Sequence, residues 1–216
     1  MCVDATGSMS PIIDELKANA MSFSQKFLDA LEEVDVDVAQ LRTKVITFRD
    51  YGCDYDAMNE SQFFTLPDQS DEFSAFINNI DATGGGDAPE NALEAISLAL
   101  KSDWTTEGAK RRQIIVVFSD APAHPLGEKA DCSNYPVGLP ESFEQLSHWW
   151  EGIDATFCGT YQPCRGRLLA FVPHEKPWTD MECWNRYWPE YSRAGTGLQE
   201  IDFDIIIELL VDSFWL

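Results

Sequence analysis

The sequence predicts an open α/β fold, a mostly parallel sheet with helices on both faces. Three observations carry that expectation. Residues 114–118 (Ile-Ile-Val-Val-Phe) form an unbroken apolar run rich in β-branched side chains, the composition of a parallel strand covered on both faces. Residues 168–172 (Leu-Leu-Ala-Phe-Val) repeat it. Between such runs lie segments whose apolar residues recur every three or four positions, so strands and helices alternate along the chain.

Taken in order, Val3 and Asp4 end a first strand that looks clipped, with a site-like residue only four positions in. From Ser10, a plausible N-cap, followed by Pro11, the pattern is helical through Ile13, Leu16, Ala20, Phe23, Phe27 and Leu31. Residues 45–48 read as a buried strand and 63–66 as a shorter one. A helix after Ser70 buries Phe73, Phe76, Ile77 and Ile80. The glycine-rich loop at 83–89 is followed by a helix through Leu93, Ile96 and Leu100, and a last helix spans about 201–214. Residues 121–166 and 173–197 break the pattern with Pro, Gly, His and Cys. They read as insertions on one domain spanning 1–216, with one short helical stretch near 142–150. Trp149, Trp150, Trp178, Trp184 and Trp188 are most simply the core of these inserts, with a partner-binding surface as the other reading.

Fifteen Lys/Arg against 37 Asp/Glu give a net charge of −22. That balance argues against nucleic acid or an anionic membrane as partner, since both require basic patches. No apolar stretch approaches the roughly 20 residues of a membrane helix, and no signal peptide is visible, which favours a cytoplasmic setting without fixing it. Six cysteines occur without a CxxC pair. Three states stay open for them: free thiols, a Cys158–Cys164 disulfide, or a zinc site with Cys132 and His148.

Ligands of open α/β sheets bind beyond the carboxyl ends of the strands. Three segments should meet there bearing oxygen donors: residues 4–8 (Asp-Ala-Thr-Gly-Ser), residues 84–90 (Gly-Gly-Gly-Asp-Ala-Pro-Glu), and Asp120 directly after the 114–118 run. Hydroxyls and carboxylates are hard donors, suited to Mg²⁺, Ca²⁺ or Mn²⁺. Arg49 and Asp50, at the same rim, are expected to form local salt bridges, and His124 to be a hydrogen-bonded loop residue.

The Asp-x-Thr-x-Ser of residues 4–8 resembles the Asp-x-Ser-x-Ser signature of the metal-ion-dependent adhesion site in von Willebrand factor A domains. Residues 84–90 look like that family's second metal loop, and Asp120 like the aspartate closing the third. The resemblance implies a Rossmann-like sheet and a metal site made of Asp4, Thr6, Ser8, Asp87, Glu90 and Asp120. Thr6 and Ser8 would coordinate through hydroxyls, and Asp4 and Asp120 through bridging waters. The family commonly has a threonine in the second loop. Here Asp87 takes that place, with Glu90 as the alternative ligand. The implied cofactor is Mg²⁺, or Ca²⁺ or Mn²⁺. The implied partner is a protein presenting an Asp or Glu to the metal, within a larger complex.

Sequence signs of catalysis are few. There is no GxxxxGK[ST] phosphate loop, no GxGxxG spacing and no Gly-x-Ser-x-Gly elbow. The expectation is therefore a metal-dependent binding module and not an enzyme. The alternatives are a Mg²⁺ hydrolase using Asp120 or His124, and a metal-independent scaffold that binds through its tryptophan-bearing inserts.

Overall fold

The computed structural model describes residues 1–86 and 88–215. Its strands are β1 (Cys2–Asp4), β2 (Leu41–Thr43), β3 (Ile46–Phe48), β4 (Met58–Glu60), β5 (Phe64–Leu66), β6 (Gln113–Phe118), β7 (Gly166–Pro173) and β8 (Tyr187–Ser192). Its α-helices are α1 (Ser10–Asn19), α2 (Phe23–Glu33), α3 (Ser70–Asn78), α4 (Ala92–Lys101), α5 (Phe143–Glu151) and α6 (Phe203–Asp212). Six strands form one sheet in the order β4-β3-β1-β6-β7-β8, and β2 pairs with β5 in a separate antiparallel ribbon. Every neighbouring pair in the main sheet is parallel except β3–β4 at one edge. The fold is the Rossmann-like open α/β sheet expected.

Both faces of the sheet are apolar because alternate residues of each central strand point opposite ways. Val116, Phe118, Leu169 and Phe171 join the core with α1, α2, α3 and α6. Ile115, Val117, Leu168 and Ala170 join the other core, with α4 and the tryptophans of both inserts. The rings of Phe118 and Phe171 stack at 5.0 Å across adjacent strands.

The structure corrects several local expectations. The helical pattern from Ser10 to Leu31 is two helices, broken at residues 20–22, although Ala20 and Phe23 remain buried in one core. Ser10 is the first residue of α1, not its cap; a 3-10 turn over Gly7–Met9 feeds directly into the helix, and Met9 is the N-cap. The strand at Phe64–Leu66 lies outside the main sheet. The stretch at 173–197 contains a regular strand, β8, in register with β7. As an edge strand it is only partly buried and carries Pro189 and Glu190, so its sequence shows no clean apolar pattern.

The insert tryptophans do not form a separate core. Trp149, Trp150, Trp178 and Trp184 are buried against α4, β6 and β7. Each indole N–H has a partner: Asp154 Oδ2, Asn185 O, Ala121 O and Ser147 Oγ, in that order. Trp188 is partly buried beneath the guanidinium of Arg167. Cys158 and Cys164 are exposed and unbridged. Among the described residues, no helix is long and apolar enough to cross a membrane.

Candidate metal-binding rim

The carboxyl ends of β1 and β6 bring Asp4, Ser119 and Asp120 together. A parallel sheet places strand ends of the same sense at one rim, and the loops leaving them cluster there. Asp4 ends β1 and is fully buried. Its Oδ1 accepts from the Thr6 backbone N–H at 3.0 Å and the Thr6 hydroxyl at 2.7 Å, and its Oδ2 accepts from the Ser119 hydroxyl at 2.8 Å. Asp120 is nearly as buried. Its Oδ1 accepts from Ser8 Oγ at 2.9 Å and its Oδ2 from Gly197 N at 2.7 Å, while Gly195 N donates to its carbonyl at 2.8 Å.

These bonds determine which lone pairs remain. Both oxygens of Asp4 and both oxygens of Asp120 have donors. Thr6 and Ser8 direct their hydroxyl protons to those aspartates, so their oxygens, 3.4 Å apart, retain lone pairs for another partner. Ser8 is exposed while Thr6 is buried, so the pair runs from solvent into the rim.

The second loop packs onto this pair. Gly7 N donates to Gly84 O at 3.3 Å and Thr83 N to Ala5 O at 3.0 Å. Gly85 holds φ +69, and a Cβ there would stand 2.6 Å from Thr6 Cγ2 and 2.9 Å from Glu90 Oε1. Only glycine allows both the left-handed backbone and that approach. Thr6 and Glu90 therefore flank the same glycine.

Glu90 is buried, and its Oε2 has no hydrogen-bond partner. Burial first, and then the charges of Asp4, Asp50, Asp54 and Asp120, push its pKa up to about 9. Burial also raises Asp4 to about 6 against the hydrogen bonds from Thr6 and Ser119, with Asp120 adding to the rise. The rim holds more negative charge than its own donors compensate. Asp87, expected here as a ligand, lies outside the described residues. Among the described residues, no three His, Cys, Asp or Glu side chains form a metal-holding group of their own. The oxygen donors at the rim are the Thr6 and Ser8 hydroxyls, 3.4 Å apart, and the Glu90 carboxyl, which shares Gly85 with the Thr6 side chain.

Two expectations at the rim change. Arg49 makes no ion pair among the described residues. It donates to four backbone carbonyls: Nε to Ala5 and Thr83, Nη1 to Asp56 and Nη2 to Asp81, at 2.7–3.0 Å. It clamps the first and second loops together. Asp50 does lie near a cation, at 3.7 Å from Lys129 Nζ, and stands 3.5 Å from His124 Nε2. The His124 ring is buried, but its nitrogens make no hydrogen bond. They stand 3.5 Å from Asp50 and from Glu128, and only the backbone N–H bonds, to Glu90 O.

Sequence reading missed Ser119, the Arg49 clamp, and Gly195 and Gly197. Ser119 had a signal, since it sits beside Asp120 at a strand end. The two glycines had none, lying more than seventy residues away in an insert.

Fold and rim together define a class: an open α/β domain that gathers hydroxyls and carboxylates at the carboxyl edge of its sheet. A family model for the von Willebrand factor A domain matches residues 1–130, and the chain belongs to that family, one of protein-interaction modules. It is 25% identical over 142 residues to the alpha-protein kinase vwkA of Dictyostelium discoideum, covering 66% of this chain and 21% of that protein. It is 29% identical over 152 residues to the putative ariadne-like RING finger protein R811 of Acanthamoeba polyphaga mimivirus, covering 70% of this chain and 14% of that protein. The chain thus spans about a fifth or less of these relatives' lengths. The solved von Willebrand factor type A structure from Catenulispora acidiphila superposes with a TM-score of 0.52 at 12% identity, over 98% of this chain and 41% of that one. That likeness is one of fold.

Proposed function

We propose that the rim binds one divalent, oxygen-preferring cation, Mg²⁺ or else Mn²⁺ or Ca²⁺, and that a partner protein docks there through an Asp or Glu side chain. The observation that carries this reading is the buried Glu90 carboxyl, whose Oε2 lacks a hydrogen-bond partner and whose Oε1 flanks Gly85 together with the Thr6 side chain, while the Thr6 and Ser8 hydroxyls turn their protons towards Asp4 and Asp120. A buried unpartnered carboxylate is costly, and a cation at that point offsets the cost. Thr6 Oγ1, Ser8 Oγ and Glu90 would hold the ion, Asp87 being the other second-loop candidate. Asp4 and Asp120 orient the hydroxyls from behind. When bound, the ion supplies a Lewis-acidic position for an anionic oxygen from the partner. Ser8, the exposed donor, faces the side from which that oxygen enters.

The reading describes a binding module without catalysis, suited to recruiting a partner within a larger assembly. The acidic body favours a partner with a basic surface around one exposed carboxylate, so that long-range attraction aids encounter. The test is calorimetric titration with Mg²⁺ and Mn²⁺ of the protein and of a D4A/S8A double variant. The unaltered protein should bind about one ion. The double variant should bind none while keeping its circular dichroism. Equal binding by both overturns the assignment.

A further inference from the structure

The end of the sheet opposite the rim gathers arginines. Arg111 and Arg112 immediately precede β6, Arg165 precedes β7, Arg167 is its second residue, and Arg186 precedes β8. These strands are parallel neighbours, with Gln113 opposite Gly166 and Leu168 opposite Tyr187. Five of the chain's 15 Lys/Arg thus stand across three adjacent strand starts, with about 4.8 Å from strand to strand. The rim's acids lie at the other end of the six-residue β6, about 20 Å away, beyond the reach of charge in ordinary salt.

Although the chain has 37 Asp/Glu, none of the five arginines forms an ion pair among the described residues. Three have neutral partners. Arg111 donates to Gly108 O and Gln162 Oε1, Arg112 to Arg111 O and Phe214 O, and Arg167 to Gly166 O and Ser213 O. The last two thereby hold the turn after α6. Arg165 and Arg186 make no side-chain hydrogen bond among the described residues, and the Nε of each is buried. Glu151, a carboxylate whose charge reaches this end, has both oxygens occupied by Asn185. Burial first, then the like charges of Arg112 and Arg186, lower the pKa of Arg167, so the positive charge here is not offset locally.

Two further observations point to a ligand. Arg186 holds φ +61, a left-handed conformation unfavourable for a long side chain, and its guanidinium gains no partner in return. Tyr161 is 5% exposed and packs its hydroxyl against Gly166 at the start of β7, within reach of the Arg186 and Arg167 charges. That hydroxyl also has no partner, although a buried donor ordinarily has an acceptor.

We propose that this end of the sheet binds a phosphate monoester dianion, gripped by Arg165 and Arg186 beside the Tyr161 hydroxyl, with Arg112 and Arg167 adding charge. Planar guanidinium forks match the spacing of oxyanion oxygens. Two forks and a hydroxyl call for more acceptor oxygens than one carboxylate has. A phosphate monoester supplies three such oxygens and a charge of about −2. The site is separate from the metal rim and does not depend on it.

The probe is a blocked, labelled pentapeptide with phosphoserine between Ala-Gly and Gly-Ala, titrated by fluorescence anisotropy. EDTA is present so that no divalent cation holds the phosphate at the rim. Saturable binding is expected. The same peptide with Ser or Glu in place of phosphoserine should bind more weakly by about tenfold or more. R165Q/R186Q should lose a similar factor, whereas D4A/S8A should bind like the unaltered protein. R186G suits the left-handed backbone, so it should keep the melting temperature and still lose affinity. Inorganic phosphate is the competitor. Displacement at equal affinity identifies free phosphate as the ligand, and no displacement at about hundredfold excess assigns the site to a partner's phosphorylated side chain. Equal binding of the Glu peptide, unchanged affinity in R165Q/R186Q, or no binding of either phosphate probe overturns the proposal.

Discussion

Ser119 donates its hydroxyl proton to Asp4 across the parallel pair β1–β6, at 2.8 Å, while its neighbour Asp120 accepts from Ser8 on the loop that follows Asp4. Each aspartate is held by a hydroxyl from the other's strand or loop. The two strand ends are thereby latched before any ligand arrives, so the Thr6 and Ser8 oxygens are preorganised.

Removing one half of that latch should loosen metal binding without unfolding the chain. S119A leaves a buried Asp4 oxygen without its donor, at a cost of about 1–3 kcal/mol. The expected outcome is weaker Mg²⁺ binding by about tenfold in calorimetry, with a native circular dichroism spectrum. An affinity equal to that of the unaltered protein would remove Ser119 from the site.

Stability should depend on pH in a direction set by Glu90 and Asp4. Both carboxyls titrate in the folded chain above their ordinary values, to about 9 and about 6. The folded state therefore keeps protons that the unfolded state has released. Without divalent cation, stability is expected to fall as pH rises from about 4 through about 9. Saturating Mg²⁺ should flatten this dependence, and Mg²⁺ binding near pH 7.5 should release close to one proton, read from calorimetry in buffers of different ionisation enthalpy. E90Q should abolish the release and raise the metal-free melting temperature at pH 8.

Arg49 joins Ala5, Thr83, Asp81 and Asp56 by charge-assisted hydrogen bonds to their carbonyls. Lysine has neither the planar fork nor the donor count to reach all four. R49K should cost about 2 kcal/mol in denaturant unfolding, and it should weaken metal binding because the first and second loops lose their common anchor. A change in stability with no change in metal affinity would confine Arg49 to a structural role.

Trp178 ties the second insert to the loop after Asp120, through its indole N–H on Ala121 O at 3.0 Å. W178F keeps most of the buried ring volume and leaves that carbonyl without its donor. We expect a loss of about 1–3 kcal/mol by thermal melting, and altered NMR shifts at Asp120. No hydrolysis of generic phosphate esters, nucleotides or peptides should accompany metal loading; turnover abolished by D120N would contradict the binding-module reading.

The fold was legible wherever period and composition agreed. The apolar run at 114–118 could only be a strand covered twice, and it is β6. β8 escaped because an edge strand has no obligation to alternate, and Trp188-Pro189-Glu190 hides it. At the rim, Asp4, Thr6, Ser8 and Asp120 could be chosen because they sit within a few residues of strand ends. Arg49 was misjudged as an ion pair because sequence shows charges and not carbonyls. Gly197 could not be seen because the contact it makes is set by how an insert folds back over the sheet.

The hydrogen bonds that build the rim join segments far apart along the chain: Asp4 with Ser119, Ser8 with Asp120, and Gly197 with Asp120. None of the three segments can assemble this arrangement by itself. The rim is therefore a product of tertiary structure, and local opening of the Gly195–Gly197 turn alone would release one oxygen of Asp120 and slacken its hold on Ser8.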